Sequence, residues 1–164
     1  MMRAINTFGF VGLLRPAPGT WGSAVAVALG LLIYRIGGAP LLAAATVGVT
    51  LLGLWSVARG TAGMADPDAS EIVIDEVAGQ WLALCFPAFG FWMRDLPLDN
   101  FPWPGWVAAF LLFRLFDIWK PGPVGRADRR GDARGVIEDD LWAGLFAGIG
   151  VLILAGLYHG VWMR

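Results

Sequence analysis

Acidic residues occur as adjacent pairs at two distant places in the chain, and each pair directly precedes an apolar segment. Asp75 and Glu76 lie in IVIDEVAGQW, and Asp139 and Asp140 lie in GVIEDDLWAG. Clustered carboxylates repel one another unless cations or protons compensate them. Carboxylate oxygens without a cluster of His or Cys favour Mg²⁺ or Mn²⁺ over zinc. The pairs therefore predict a site for a hard divalent cation, and Mg²⁺ leaves coordination positions open for water and a substrate phosphate.

Two further polar clusters border other apolar segments. The stretch FRLFDIWKPGP carries Asp117 and Lys120, three residues apart and so on roughly the same helix face. The stretch GTWGS offers Gly19, Thr20 and Ser23 at a helix start, where free N–H groups and hydroxyls suit an anion. Structural alternatives exist for each cluster. Acids in a first turn stabilise the helix dipole by ~0.3–1 kcal/mol each, and GTWGS also fits an N-cap followed by small packing residues.

The composition predicts a membrane protein. Of the 164 residues, 57% are hydrophobic and only 15% are charged, whereas roughly a quarter of a soluble domain is charged. The length fits one domain spanning residues 1–164. The single cysteine, Cys85, excludes an internal disulfide and a cysteine-rich metal site. The basic residues form no long stripe, so no nucleic-acid partner is predicted, and the sequence gives no oligomeric state.

Charged residues divide the chain into five apolar blocks. The blocks lie between Arg15 and Arg35, between Arg35 and Arg59, between Glu76 and Arg94, from Asn100 to Phe116, and after Asp140. A membrane-crossing helix needs roughly 20 apolar residues, so the second and fifth blocks are long enough, the first and third are marginal and the fourth is short. Continuous apolar runs without alternation favour helices over barrel strands. We therefore expect an all-α polytopic membrane bundle of about five membrane-embedded helices, preceded by a short N-terminal helix.

If all five blocks cross, the four polar clusters meet on one membrane face. That face carries most of the basic residues: Arg3, Arg15, Arg59, Lys120, Arg126, Arg129, Arg130 and Arg134. The excess of Lys and Arg assigns it to the cytoplasm. In the loop VGRADRRGDAR, Arg126 and its neighbours fit either a substrate phosphate or anionic lipid headgroups. A cation-binding transporter that uses the same carboxylates is the competing function, although the second and fifth blocks carry no acid near the membrane midplane, where transporter sites tend to lie.

Four motifs in order resemble the phosphatidylglycerophosphatase A family. They are PGTWGS, IVIDEVAGQW, FRLFDIWKPGPVGRADR and GVIEDDLWAG, and they extend from Pro18 to Gly144. The resemblance implies a mainly helical, Mg²⁺-dependent hydrolase of the bacterial inner (cytoplasmic) membrane. Such a lipid phosphatase acts in phospholipid biosynthesis, where it converts phosphatidylglycerophosphate to phosphatidylglycerol and phosphate.

The motifs carry the expected site residues onto this chain. The predicted metal ligands are Asp75, Glu76, Asp117, Asp139 and Asp140, with Asp68 or Asp66 corresponding to a further upstream acid. Lys120 joins these five acids in the predicted catalytic set. Substrate binding is assigned to Gly19, Thr20, Ser23, Lys120 and Arg126. One carboxylate acts either as a base or as a covalent nucleophile, and the sequence leaves both open. Glu138 departs from the family pattern, which is usually apolar at that position.

Overall fold

The computed structural model describes residues 1–62, 70–98 and 103–162, and this part of the chain is helical and without strands. The helices are α1 (Met2–Asn6), α2 (Pro18–Gly60), α3 (Ile74–Trp92), α4 (Trp103–Trp119), α5 (Pro123–Asp128) and α6 (Ala133–Trp162), with a 3₁₀ turn at Val11–Leu13. The predicted all-α class and the short N-terminal helix are thus confirmed.

Helix α2 is a hairpin of two arms, residues 18–36 and 39–60. A straight helix of 43 residues would extend about 65 Å. Instead, Gly22 near its start lies against Val73, and Gly53 near its end lies against Ile74, so both ends of α2 meet the start of α3. The chain reverses at Gly37 and Gly38. Gly38 has φ +66° and ψ −162°, a conformation that is essentially restricted to glycine.

Helices α3 and α6 cross with their backbones in direct contact. A Cβ atom added to Gly79 would clash with the main chain of Asp140, and one added to Gly144 would lie 3.0 Å from the carbonyl carbon of Gly79. Each glycine follows an acid by four residues, Gly79 after Asp75 and Gly144 after Asp140, which is about one helical turn on the same face. The small residues therefore allow the close approach that brings the two acidic pairs together.

Many large apolar side chains point outward from the bundle. On the C-terminal half of α6 the exposed set is Ile149, Leu152, Ile153, Leu154 and Leu157. Two described helices are long and apolar enough to cross a membrane, Pro18–Gly60 and Ala133–Gly160, and only 33% and 28% of their most apolar windows are buried inside the protein. Outward-facing apolar surface of this extent fits contact with lipid.

The expectation of about five membrane-embedded helices is not confirmed. Helix α4 has 17 residues, about 26 Å, which is shorter than the ~30 Å hydrocarbon layer. Helix α3 has 19 residues, and its first turn contains two acids. The stretch VGRADRRGDAR, predicted as a loop, instead contains most of α5 and the first two residues of α6.

Candidate active site

A polar cavity of about 280 Å³ lies at one end of the bundle, where α2, α3 and α6 begin and α4 ends. Its lining comprises Ala17, Pro18, Gly19, Thr20, Ser70, Ile72, Asp75, Glu76, Arg114, Asp117, Lys120, Asp139 and Asp140. Eight of the residues selected from the sequence thus meet in one pocket, although they are separated by up to 121 positions along the chain.

Three carboxylates at the cavity form a compact cluster. Asp75, Glu76 and Asp140 each offer an oxygen, and these three oxygens lie within 4.8 Å of one another. Asp75 and Asp140 are buried. Glu76 Oε2 and Asp140 Oδ1 are also buried, and neither accepts a hydrogen bond from a described residue. Buried acceptors without donors are costly, so the cluster has the chemistry of a cation site.

Local interactions hold the acidic pairs in position. The backbone N–H of Val73, just before α3, donates to Asn6 O at 2.9 Å, which ties the start of α3 to the N-terminal segment. Asp75 Oδ1 accepts from Glu76 N at 3.0 Å, and Asp139 Oδ1 accepts from Asp140 N at 2.9 Å. In each pair the first carboxylate is therefore fixed by the next backbone amide.

Lys120 links α5 to the acidic pair of α6. Its Nζ donates to Asp139 Oδ2 at 3.0 Å and to Asp128 Oδ1. Partial burial alone would lower the pKa of Lys120, but these two hydrogen bonds and the two negative charges hold the pKa above its ordinary value. Lys120 is thus a charged group that orients Asp139. The sequence interpretation missed Asp128, because its partner becomes apparent only once α5 folds back onto Lys120.

Arg114 is a second cation in the cavity and was not predicted as a site residue. Its guanidinium forms an ion pair with Asp117 at 2.7 Å and donates to Ser23 Oγ at 3.4 Å. The Nε atom is buried and has no partner among the described residues. The i, i+3 spacing to Asp117 is the sequence signal that could have identified it.

The predicted substrate-binding residues separate into two groups. Gly19 and Thr20 line the cavity, and a Cβ atom on Gly19 would clash with the Glu76 carboxylate. Ser23 is buried outside the lining, and its hydroxyl donates to Gly19 O at 2.8 Å. Arg126 is exposed on α5 and is not among the residues that line the cavity.

Three further acids were named from the sequence, Asp66, Asp68 and Glu138. Asp66 and Asp68, considered as a further metal ligand, fall outside the described residues. Glu138, which departs from the family pattern, accepts a hydrogen bond from Arg130 at 2.5 Å. It does not line the cavity, so the three consecutive acids of α6 divide into one outer and two inner carboxylates.

These features define a helical membrane protein with a carboxylate-rich pocket suited to a divalent cation and a phosphate. The chain belongs to the phosphatidylglycerophosphatase A family, whose model matches residues 4–155. The family places it among the phosphatases, which are hydrolases.

Several curated proteins are similar to the chain over most of their length. A phosphatidylglycerophosphatase A of Haemophilus influenzae is 33% identical over 144 residues, 87% of this chain and 82% of the relative. A protein of Bacteroides thetaiotaomicron with the provisional name phosphatidylinositol-3-phosphatase is 33% identical over 80% of this chain and 79% of its own. A phosphatidylglycerophosphatase A of Escherichia coli K12 is 29% identical over 90% and 80%. No solved structure matches the chain at a significant level.

Proposed function

We propose that this protein is a Mg²⁺-dependent lipid phosphatase that hydrolyses phosphatidylglycerophosphate to phosphatidylglycerol and phosphate. The observation that carries the proposal is the carboxylate cluster of Asp75, Glu76 and Asp140 in the end-of-bundle cavity. Family membership supports the substrate class. A lipid substrate keeps its acyl chains in the leaflet and presents its phosphate at the interface, so a cavity at the bundle end is where that phosphate arrives.

The charge of the cavity argues for a bound cation. Its lining contains five carboxylates but only two cationic side chains, a formal excess of three negative charges. A phosphate monoester would be repelled from such a pocket unless divalent cations were present. When bound, Mg²⁺ supplies charge neutralisation and Lewis-acid polarisation of the phosphoryl group. Asp75, Glu76 and Asp140 would hold it, with Asp117 and Asp139 as the remaining acidic ligands of the pocket.

The cationic and neutral residues of the cavity have separate tasks in this proposal. Lys120 orients Asp139 through its hydrogen bond. Arg114, whose Nε is free of described partners, faces the phosphate and stabilises the charge that develops during transfer. Gly19 and Thr20 border the opening at the start of α2, where backbone amides and a hydroxyl suit an anion. Arg126 on the exposed side of α5 is assigned to anionic headgroups around the site.

We further infer a multi-pass arrangement with the cavity facing the cytoplasm of a bacterial inner membrane. The two arms of α2 contain 19 and 22 residues, about 28 and 33 Å, so each arm is close to the hydrocarbon thickness. The excess of Lys and Arg at the cavity end supports the cytoplasmic orientation. The alternative of a cation transporter gains no support from the family or from the described structure.

Phosphate release from phosphatidylglycerophosphate in mixed micelles, with and without Mg²⁺, tests the proposal. We expect Mg²⁺-dependent release by the wild-type protein. Asp75→Asn and Asp140→Asn should abolish release while the variants still insert and fold. Phosphate release from phosphatidylinositol 3-phosphate, measured in the same assay, determines which lipid headgroup the site prefers.

The chain offers a matched control within the same acidic run. Glu138→Gln neutralises the acid next to Asp139 and Asp140, but Glu138 pairs with Arg130 and does not line the cavity. Its phosphate release should stay near the wild-type rate. Equal rates of phosphate release by Asp140→Asn and Glu138→Gln would show that the carboxylate cluster takes no part in the reaction.

A further inference from the structure

A second, larger cavity lies at the other end of the bundle. It is a groove of about 820 Å³ between the end of α3, the start of α4 and the end of α6. This volume is within the ~300–1,000 Å³ range of ligand pockets. Along α3, Glu76 and Trp92 are 16 residues apart, or about 24 Å, so the groove lies nearly one hydrocarbon thickness from the acidic cavity.

The groove is apolar along its length and open on the exposed side of α6. Its walls include Phe86, Pro87, Phe91, Ala108, Val151 and Leu152. Gly156 of α6 also lines it, and a Cβ atom added there would meet no atom within 4 Å. An open apolar channel that starts between membrane helices is suited to a flexible hydrocarbon chain.

The mouth of the groove carries cationic and aromatic groups. Arg94 lines the groove, and its guanidinium is fixed there by a hydrogen bond to Gly90 O at 3.1 Å. Arg94 forms no ion pair with a described residue, although Asp95 follows it directly in the chain. The exposed Trp103 and Tyr158 also border the groove, and such residues are typical of the membrane interface.

We propose that this groove binds one anionic phospholipid, with an acyl chain along α6 and the headgroup phosphate on Arg94. The apolar interior accounts for the chain, and charge complementarity at Arg94 accounts for the preference for an anionic lipid. The bound lipid belongs to the leaflet opposite the acidic cavity. The proposal goes beyond the phosphatase function and does not depend on it, since the two sites share no lining residue.

Lipid retention by the purified protein tests this site. The delipidated full-length protein in detergent is mixed with dioleoyl phosphatidylserine or dioleoyl phosphatidylcholine, and bound lipid is counted by native mass spectrometry. We expect one tightly retained phosphatidylserine and about fivefold weaker retention of phosphatidylcholine, the ratio expected for one cationic contact. Arg94→Gln should equalise the two lipids. Gly156→Trp should abolish retention of both, because the indole occupies the channel.

Matched variants separate the groove from general effects. Gly48→Trp places the same side chain on an exposed face of α2, where a Cβ also meets no atom within 4 Å, and Arg35→Gln removes another exposed arginine. Both controls should retain lipid as the wild type does. All variants should keep wild-type phosphate release in micelles.

Two results would overturn the proposal. The first is equal retention of phosphatidylserine by the wild type and Gly156→Trp. The second is a dimer in light scattering that Gly156→Trp dissociates without any change in bound lipid, since that result would make the occupant a second copy of the chain.

Discussion

The substitution Gly79→Ala tests how the protein positions its acids. Gly79 lies where α3 crosses α6, one turn after Asp75 on the same helix. An added Cβ would lie 2.8 Å from the carbonyl carbon of Asp140 and 2.6 Å from Phe113 Cε2. The phenyl ring can rotate away, but a main-chain atom cannot, so α6 must move as a helix.

The size of the effect follows from this contact. Bringing the 2.8 Å approach of the carbonyl carbon to the 3.4 Å of an ordinary contact displaces the α6 backbone by at least about 0.6 Å at Asp140. The carbonyl oxygen of Asp140 lies closer still to the added Cβ and requires a larger shift. A misplacement of ~1 Å costs roughly 100-fold in rate, so we expect a fall of about 10- to 100-fold in phosphate release. Overpacking costs about 1–3 kcal/mol, and the better helix propensity of alanine offsets about 0.5–1 kcal/mol, so we expect a net loss of stability of about 0–2.5 kcal/mol.

The assay is phosphate release per folded molecule, with thermal unfolding recorded in the same detergent. Gly48→Ala is the control, because Gly48 is exposed on α2 and its added Cβ meets no atom within 4 Å. The control should match the wild type in rate. A wild-type rate and Mg²⁺ requirement for Gly79→Ala would refute the claim that this backbone contact sets the spacing of the acids.

Further predictions concern groups around the cavity. Gly19→Ala pushes its Cβ against the Glu76 carboxylate, which is one of the proposed metal ligands. The Mg²⁺ concentration for half-maximal rate should therefore rise about 10- to 100-fold, without loss of thermal stability. An unchanged Mg²⁺ titration would contradict this prediction. Asp128→Asn removes one of the two anions that hold Lys120, so the rate should fall less than in Lys120→Met, which also releases Asp139; steady-state kinetics of both variants check the order. Saturation with Mg²⁺ at 100 times its Kd should stabilise the fold by about 2.7 kcal/mol, an increase that Asp140→Asn should remove in thermal unfolding.

The apolar blocks predicted the helices well, because a continuous apolar run without alternation is compatible with little else in lipid. The first two blocks became the two arms of α2, and the glycine pair at residues 37 and 38 marks the reversal. Pro87 lies inside α3, and the helix continues beyond it to Trp92. The number of membrane crossings could not be fixed, because α3 and α4 are close to the minimum length and carry charges at their ends.

The acidic pairs were visible in the sequence because adjacent carboxylates beside apolar segments are unusual. The division of roles within them was not visible. Asp140 lies with Asp75 and Glu76, whereas Asp139 is bound to Lys120. That difference depends on the rotation of α6 about its axis, which is set by the Gly79–Gly144 contact rather than by any local pattern. Arg114 and Asp128 were missed for the same reason, since their places in the site arise from tertiary packing.

In the proposed mechanism, the spacing of acid and glycine would couple helix packing to cation binding. Asp75 with Gly79, and Asp140 with Gly144, place a carboxylate in the cavity and a bare backbone at the crossing one turn below it. Without a cation, the clustered carboxylates repel one another and act to separate α3 from α6. With a cation, the same charges draw these helices together, and the glycines allow the backbones to meet. Substitutions at the crossing should therefore change the affinity for Mg²⁺, although neither glycine carries a side chain that could bind it.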